Sequence, residues 1–148
     1  MGSSWVKREA SDGSLEDLRA QLRQEGRSGA VADALERAGL LREYEWAWTS
    51  RRGTEAVASA AIFRNADGAA QGFEPLQDIS YNWFSTSPTG DLGEEAIAGR
   101  SDGAAGYTWR RDNLILTVSV FQSSGPAFDY AAAARAYANE LDDRADAR

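Results

Sequence analysis

The chain has 148 residues, 43% apolar and 10% aromatic, a composition that suits one folded domain and argues against general disorder. Its 23 acids outweigh 16 bases, for a net charge of -7, which disfavours general nucleic-acid binding and simple adhesion to anionic lipid. With no cysteine and no histidine, disulfides, thiolate nucleophiles, zinc–thiolate sites and a Ser-His-Asp triad are excluded; carboxylate-only metal sites and paired catalytic carboxylates stay compatible.

The opening MGSS reads as residues added to a trimmed chain, with a signal or lipid-anchor segment removed ahead of it. No run of about 18 apolar residues occurs. Residues 1–13 are polar and are expected to form a loose tail before a single domain over 14–146. Ser14 offers an N-cap to a helix over 15–24, with Glu16 and Asp17 in its first turn and Leu15, Leu18 and Leu22 at helical spacing. EGRSG breaks that helix. A second helix carries Val31, Ala34, Leu35 and Ala38, and Gly39 is its natural stop.

Tyr44, Trp46 and Trp48 then alternate with Glu45, Ala47 and Thr49, which is strand period. A turn at SRRGT leads to a second, small-residue strand over 56–63, closing a hairpin. Asn65 or Asp67 can cap a short helix whose apolar face is Ala66, Ala69, Ala70, Phe73 and Leu76, although Gly68, Gly72 and Pro75 count against it. ISYNWFS reads as a strand, with Trp83 and Phe84 on opposite faces. TSPTGDLGEE reads as a loop, AIA as a short strand and GRSDGAAG as another loop.

A final hairpin pairs Tyr107–Arg110 with Leu114–Phe121 around Asp112-Asn113. Leu114, Leu116, Val118 and Val120 share one face and Ile115, Thr117, Ser119 and Phe121 the other, the pattern of a half-buried strand. After the loop QSSGPAF, Asp129 caps a last helix striped by Tyr130, Ala133, Ala134, Tyr137 and Leu141, and the tail DDRADAR frays. The fold expected is α+β: a mostly antiparallel sheet of five to six strands built from hairpins, with N-terminal, middle and C-terminal helices packed on it.

Four constellations invite a chemical reading. In WRRDN, Arg110 and Arg111 can hold an anion by bidentate bonds with Trp109 stacked nearby; the plainer reading is a solvated hairpin shoulder. In YEWAW, three aromatics on one strand face can floor a groove for lipid, sugar or peptide; the plainer reading is core. DGAAQGF lacks the lysine and glycine spacing of a phosphate loop. NADG is a fragment of a calcium loop, and no spacing of GEE or LDD marks a catalytic pair. No cofactor and no metal site is therefore expected.

The series ADALERAGLLREYEWAW, AIFRNADGAAQGF, LGEEAIA, YTWRRDNLILTVSVF and ARAYANELDDRA resembles extracytoplasmic domains of small secreted or lipid-anchored actinobacterial proteins of unknown function, some with sensor-like relatives. In such proteins a strand leads into an F-R-x-x-D-G-A helix start, here Phe63 to Ala69. A segment like Leu92–Ala96 precedes an arginine hairpin like Arg110–Asn113, and the last helix ends as Leu141 to Ala145 does. The resemblance covers about residues 30 to 146. It implies an extracytoplasmic location and a non-catalytic role, and the cysteine-free chain departs from the disulfide-bearing sensor relatives.

The functional expectation is a non-catalytic binding or interaction domain of the cell envelope. Its candidate ligand-binding residues are Trp46, Trp48, Trp83, Trp109, Arg110 and Arg111. A carrier holding a small hydrophobic molecule in an aromatic-lined cavity is the first alternative, and a histidine-free enzyme using carboxylates is the second. The partners expected are an unknown small molecule or envelope protein, or a second copy in a homodimer. Nucleic acid is not among them, and membrane association would come only through the removed N-terminal anchor.

Overall fold

The computed structural model describes residues 5–26, 29–50, 53–80, 85–122 and 129–147. Among them, seven strands form one antiparallel sheet: β1 (Trp5–Gly13), β2 (Leu40–Ser50), β3 (Thr54–Phe63), β4 (Ser85–Thr89), β5 (Glu95–Ser101), β6 (Ala104–Arg111) and β7 (Leu114–Gln122). The helices are α1 (Leu15–Gln24), α2 (Ala30–Ala38), α3 (Ala66–Ser80) and α4 (Tyr130–Asp146). The strand order is β1-β2-β3-β7-β6-β5-β4. Two meanders, β1-β2-β3 and β4-β5-β6-β7, therefore join where β3 pairs with β7, and α3 lies between β3 and β4 in the chain.

The helices lie on both faces. On one, Leu35 and Ala38 of α2 and Ala69, Phe73 and Leu76 of α3 pack on Leu40, Ala61, Phe63 and Ile115, with Leu15 and Leu18 of α1 against them. On the other, Ala134 and Ala138 of α4 are fully buried and pack on Ala105, Val118 and Val120. Alanine at these positions favours the helix and lets it approach the sheet closely. The capping box predicted at Ser14 is present, with the Asp17 amide donating to Ser14 Oγ and the Ser14 amide to Asp17. Asn65 Oδ1 caps α3 by accepting from the Gly68 amide at 2.8 Å. Asp129 caps α4 by accepting from the Ala132 amide.

Several expectations need correction. The sheet has seven strands instead of five or six. Residues 5–13, expected as loose, form edge strand β1, paired along β2 from Trp5↔Ser50 to Gly13↔Glu43. The supposed strand ISYNWFS begins inside α3, which runs on through Ile79 and Ser80; Tyr81 to Phe84 lie outside the described residues. Pro75 sits within that helix. Gly72 is there for contact: a Cβ on it would collide with the Phe63 ring. TSPTGDLGEE supplies β4, and GRSDGAAG is the β5–β6 hairpin, with Ser101↔Ala104 closed by Asp102-Gly103. That is a strong two-residue hairpin signal.

Strand β7 is buried on both faces. Val118 and Val120 lie under α4, while Ile115, Thr117 and Ser119 are buried on the other side. Thr117 pairs with Thr108 across the strands at 3.3 Å. Ser119 Oγ has no hydrogen-bond partner among the described residues.

Candidate functional site

The sheet registers place side chains in rows across the α4 face. One row runs Tyr107, Val118, Ala58, Trp46; the next runs Trp109, Leu116, Ala60, Tyr44. Each row reads aromatic, branched aliphatic, alanine, aromatic. Helix α4 sits on the β6–β7 side of this pattern and leaves the β2–β3 side uncovered. The alanines of β3 thus form a furrow between the edge of α4 and the β2 aromatics.

The furrow is an open trough of about 590 Å³. Its floor is Ala58, Ala60, Ile62, Leu114 and Leu116; its walls are Tyr44, Trp46 and Trp48 on one side and Leu141, Arg144 and Ala145 on the other. Tyr44 and Trp46 stack, with ring centroids 6.1 Å apart and planes 18° apart. A smaller hollow of about 280 Å³ continues it along α4, sharing Trp48, Ala58, Leu141 and Arg144 and adding Val118, Tyr137 and Glu140. The size and apolar lining are those of a small-ligand site.

Of the residues expected at a site, Trp46 and Trp48 come together here. Trp83 lies outside the described residues. Trp109 is fully buried, and its indole Nε1 donates to Asp142 Oδ1 at 2.8 Å. Arg110 and Arg111 point to opposite faces of β6. Arg110 is mostly buried and paired with Glu94, with Glu95 3.7 Å away. Arg111 grips Asp142 with both ends of its fork, Nε to Oδ1 and Nη2 to Oδ2, each at 2.7 Å, and donates through Nη1 to Asp146 at 2.6 Å.

The buried Arg110 Nε has no hydrogen-bond partner among the described residues. Trp109, Arg111, Asp142 and Asp146 form a clamp between the β6–β7 hairpin and α4. Asp142, 8% exposed, is its centre; the Arg111 bonds hold its carboxyl below the usual carboxylate range against the opposing effect of burial, helped by the Trp109 N–H. Gly93, at φ 49°, brings its loop against the Arg110 carbonyl where a Cβ would collide, which seats buried Leu92 in the cluster that contains Trp109. Asn113 ties the hairpin turn to the end of β3: its Nδ2 donates to the Phe63 carbonyl, and its own carbonyl accepts from the Phe63 amide, both at 2.9 Å.

Sequence reasoning missed Asp142 and the β3 alanines. The alanine signal was present, at Ala56, Ala58 and Ala60 with period two, but its meaning depended on the register against Trp46 and Trp48. On the opposite face, a hollow of about 250 Å³ lies beside α1, lined in part by Asp17, Leu18, Gln21, Glu43 and Glu45. Burial raises the Glu43 carboxyl above its ordinary pKa, Glu45 adds to the rise, and a hydrogen bond with Ser59 opposes it. Among the described residues no group of three or more histidine, cysteine or acidic side chains is placed to hold a metal ion. Among the described residues no helix is long and apolar enough to cross a membrane. Comparison with protein-family models, with curated proteins and with solved structures finds no match to this chain.

Proposed function

We propose that the chain is a non-catalytic binding domain whose α4-face trough takes an apolar ligand. The observation that carries this reading is the trough itself: about 590 Å³, floored by alanine and branched aliphatic side chains and walled by Tyr44, Trp46 and Trp48. Sugars and nucleotides are held by several convergent polar groups, and this lining supplies few. The carrier and binding-module readings of the sequence meet in this one feature. The cell-envelope setting implied by the resemblance belongs to the same proposal, with cell fractionation as its check.

Trp46 and Trp48 make the test direct. Titration with an apolar naphthylamine probe should quench tryptophan emission saturably and raise the melting temperature, because a ligand bound only to the native state stabilises it by mass action. Ala60→Phe puts a ring into the trough from a partly exposed position. That variant should melt near the wild type and lose the saturable quench. Wild-type affinity retained in Ala60→Phe would place binding elsewhere.

A further inference from the structure

From the charge placed at the trough we infer the class of its ligand, an inference that rests on the apolar-ligand reading above: a single-chain amphiphile with an anionic head, the head held by Arg144. Three observations lead there. First, among the described residues lining the trough, Arg144 is the only one with a charged side chain. The other lining atoms belong to alanine, leucine, isoleucine, tyrosine and tryptophan. In a chain of net charge -7, the single charge facing this apolar space is positive.

Second, Arg144 is available. Among the described residues it pairs with Glu140, one turn back on α4, and the two side chains are 70% and 43% exposed. An exposed pair of this kind is weakly held. Arg144 uses Nη2 on Glu140, which leaves guanidinium donors for a bidentate bond to a ligand carboxylate. Arg111, by contrast, is held by Asp142 and Asp146, and Arg110 is paired with Glu94 on the opposite face of β6.

Third, the shape suits one chain. The furrow is a single alanine strand wide, between the β2 aromatics and α4. Tyr44 to Trp48 spans about 13 Å of strand at ~3.3 Å per residue, and Tyr137 to Ala145 spans about 12 Å of helix at ~1.5 Å per residue. A medium-length alkyl chain fills such a slot. Arg144 lines both the trough and the smaller hollow, so it stands at their junction, where a head would meet water.

The test compares monomeric decanoate, decanol and decyltrimethylammonium, which share a chain and differ in the head, against wild type and Arg144→Gln by tryptophan quenching. A charge-assisted bidentate bond predicts that decanoate binds about tenfold or more tighter than decanol. Arg144→Gln should abolish that preference, so that decanoate and decanol bind the variant alike. Arg144 is exposed, so an unchanged melting temperature confirms that the variant is folded. Equal affinity for all three heads, with no effect of Arg144→Gln, overturns the head-group inference and leaves the apolar-ligand reading standing. No saturable binding of any of the three to wild type overturns both. Binding to vesicles of phosphatidylglycerol in place of monomeric decanoate replaces the soluble amphiphile with a bilayer surface and overturns the inference in that way.

Discussion

Replacing Asp142 by alanine tests the clamp. The substitution removes an acceptor that takes a 2.8 Å bond from the Trp109 indole and two 2.7 Å bonds from Arg111. Trp109 is fully buried, so its N–H is left without a partner, at a cost of about 1–3 kcal/mol. Arg111, with its side chain 27% exposed, keeps Asp146 and gains water, so its loss is nearer that of an exposed pair, about 1 kcal/mol or less. The sum is about 1–4 kcal/mol. For a domain of this size that lowers the melting temperature by roughly 2–15 °C. Urea unfolding followed by tryptophan emission gives the free energy, and Asp146→Ala, which removes a partner 72% exposed, is the control expected to change little. If Asp142→Ala falls within 1 kcal/mol of that control, on the scale set for buried hydrogen bonds, the clamp does not hold α4. A pH series adds an independent check. The folded carboxyl titrates below its unfolded value, near ~3.9, so its contribution is fully present above that pH and is lost as pH falls through the folded value. The gap between wild type and Asp142→Asn should therefore close in acid.

On the other face, Glu43 titrates above its ordinary value, chiefly through burial and secondarily through Glu45. Its ionisation therefore works against folding: stability is greatest below the unfolded pKa, near ~4.3, and declines as pH rises through the folded one. Glu43→Gln should melt higher than wild type at neutral pH and lose that advantage in acid; a variant that melts lower at neutral pH sinks the argument. Ser119 Oγ is fully buried with no partner among the described residues, so Ser119→Ala removes an unmet polar group and should leave stability equal or higher. A loss of more than about 1 kcal/mol in urea unfolding would show that the hydroxyl has a partner after all.

Where the sequence carried its own punctuation, the fold was legible. Ser14 and Asp17 fix the start of α1 by bonding each other's backbone, Gly39 ends α2 in the left-handed conformation, and the alternation from Leu114 marks β7. The misses share a cause, in that distant contacts outweighed local preference. β1 is polar and reads as a tail, yet pairing with β2 makes it a strand. α3 carries two glycines and a proline, but Gly72 gives it the Phe63 contact that outweighs their low helix propensity. For the site, the aromatic stripe of β2 was readable from period alone. The role of WRRDN was not, because its partner Asp142 lies 31 residues beyond Arg111. Arg111 looked like a free cation only while that carboxylate was unplaced.

Clamp and trough are built from the same turn of α4. Asp142 faces the β6 hairpin, while Leu141, Arg144 and Ala145 form the trough wall. The distance from that wall to Trp46 and Trp48 is therefore set by how firmly Asp142 seats the helix. Loosening the clamp should weaken ligand binding even at temperatures where the protein stays folded. A change of similar cost on the opposite face separates this from simple instability. Leu35 is fully buried in the α2–α3 core, and Leu35→Ala should cost about 2–5 kcal/mol. It removes no group from α4 or the trough. At a temperature well below both melting points, Asp142→Ala should bind the naphthylamine probe more weakly than Leu35→Ala does. Equal affinities in the two variants would mean that β7 and β6 hold α4 by apolar packing alone, with Ala134 and Ala138 fixing the width of the trough.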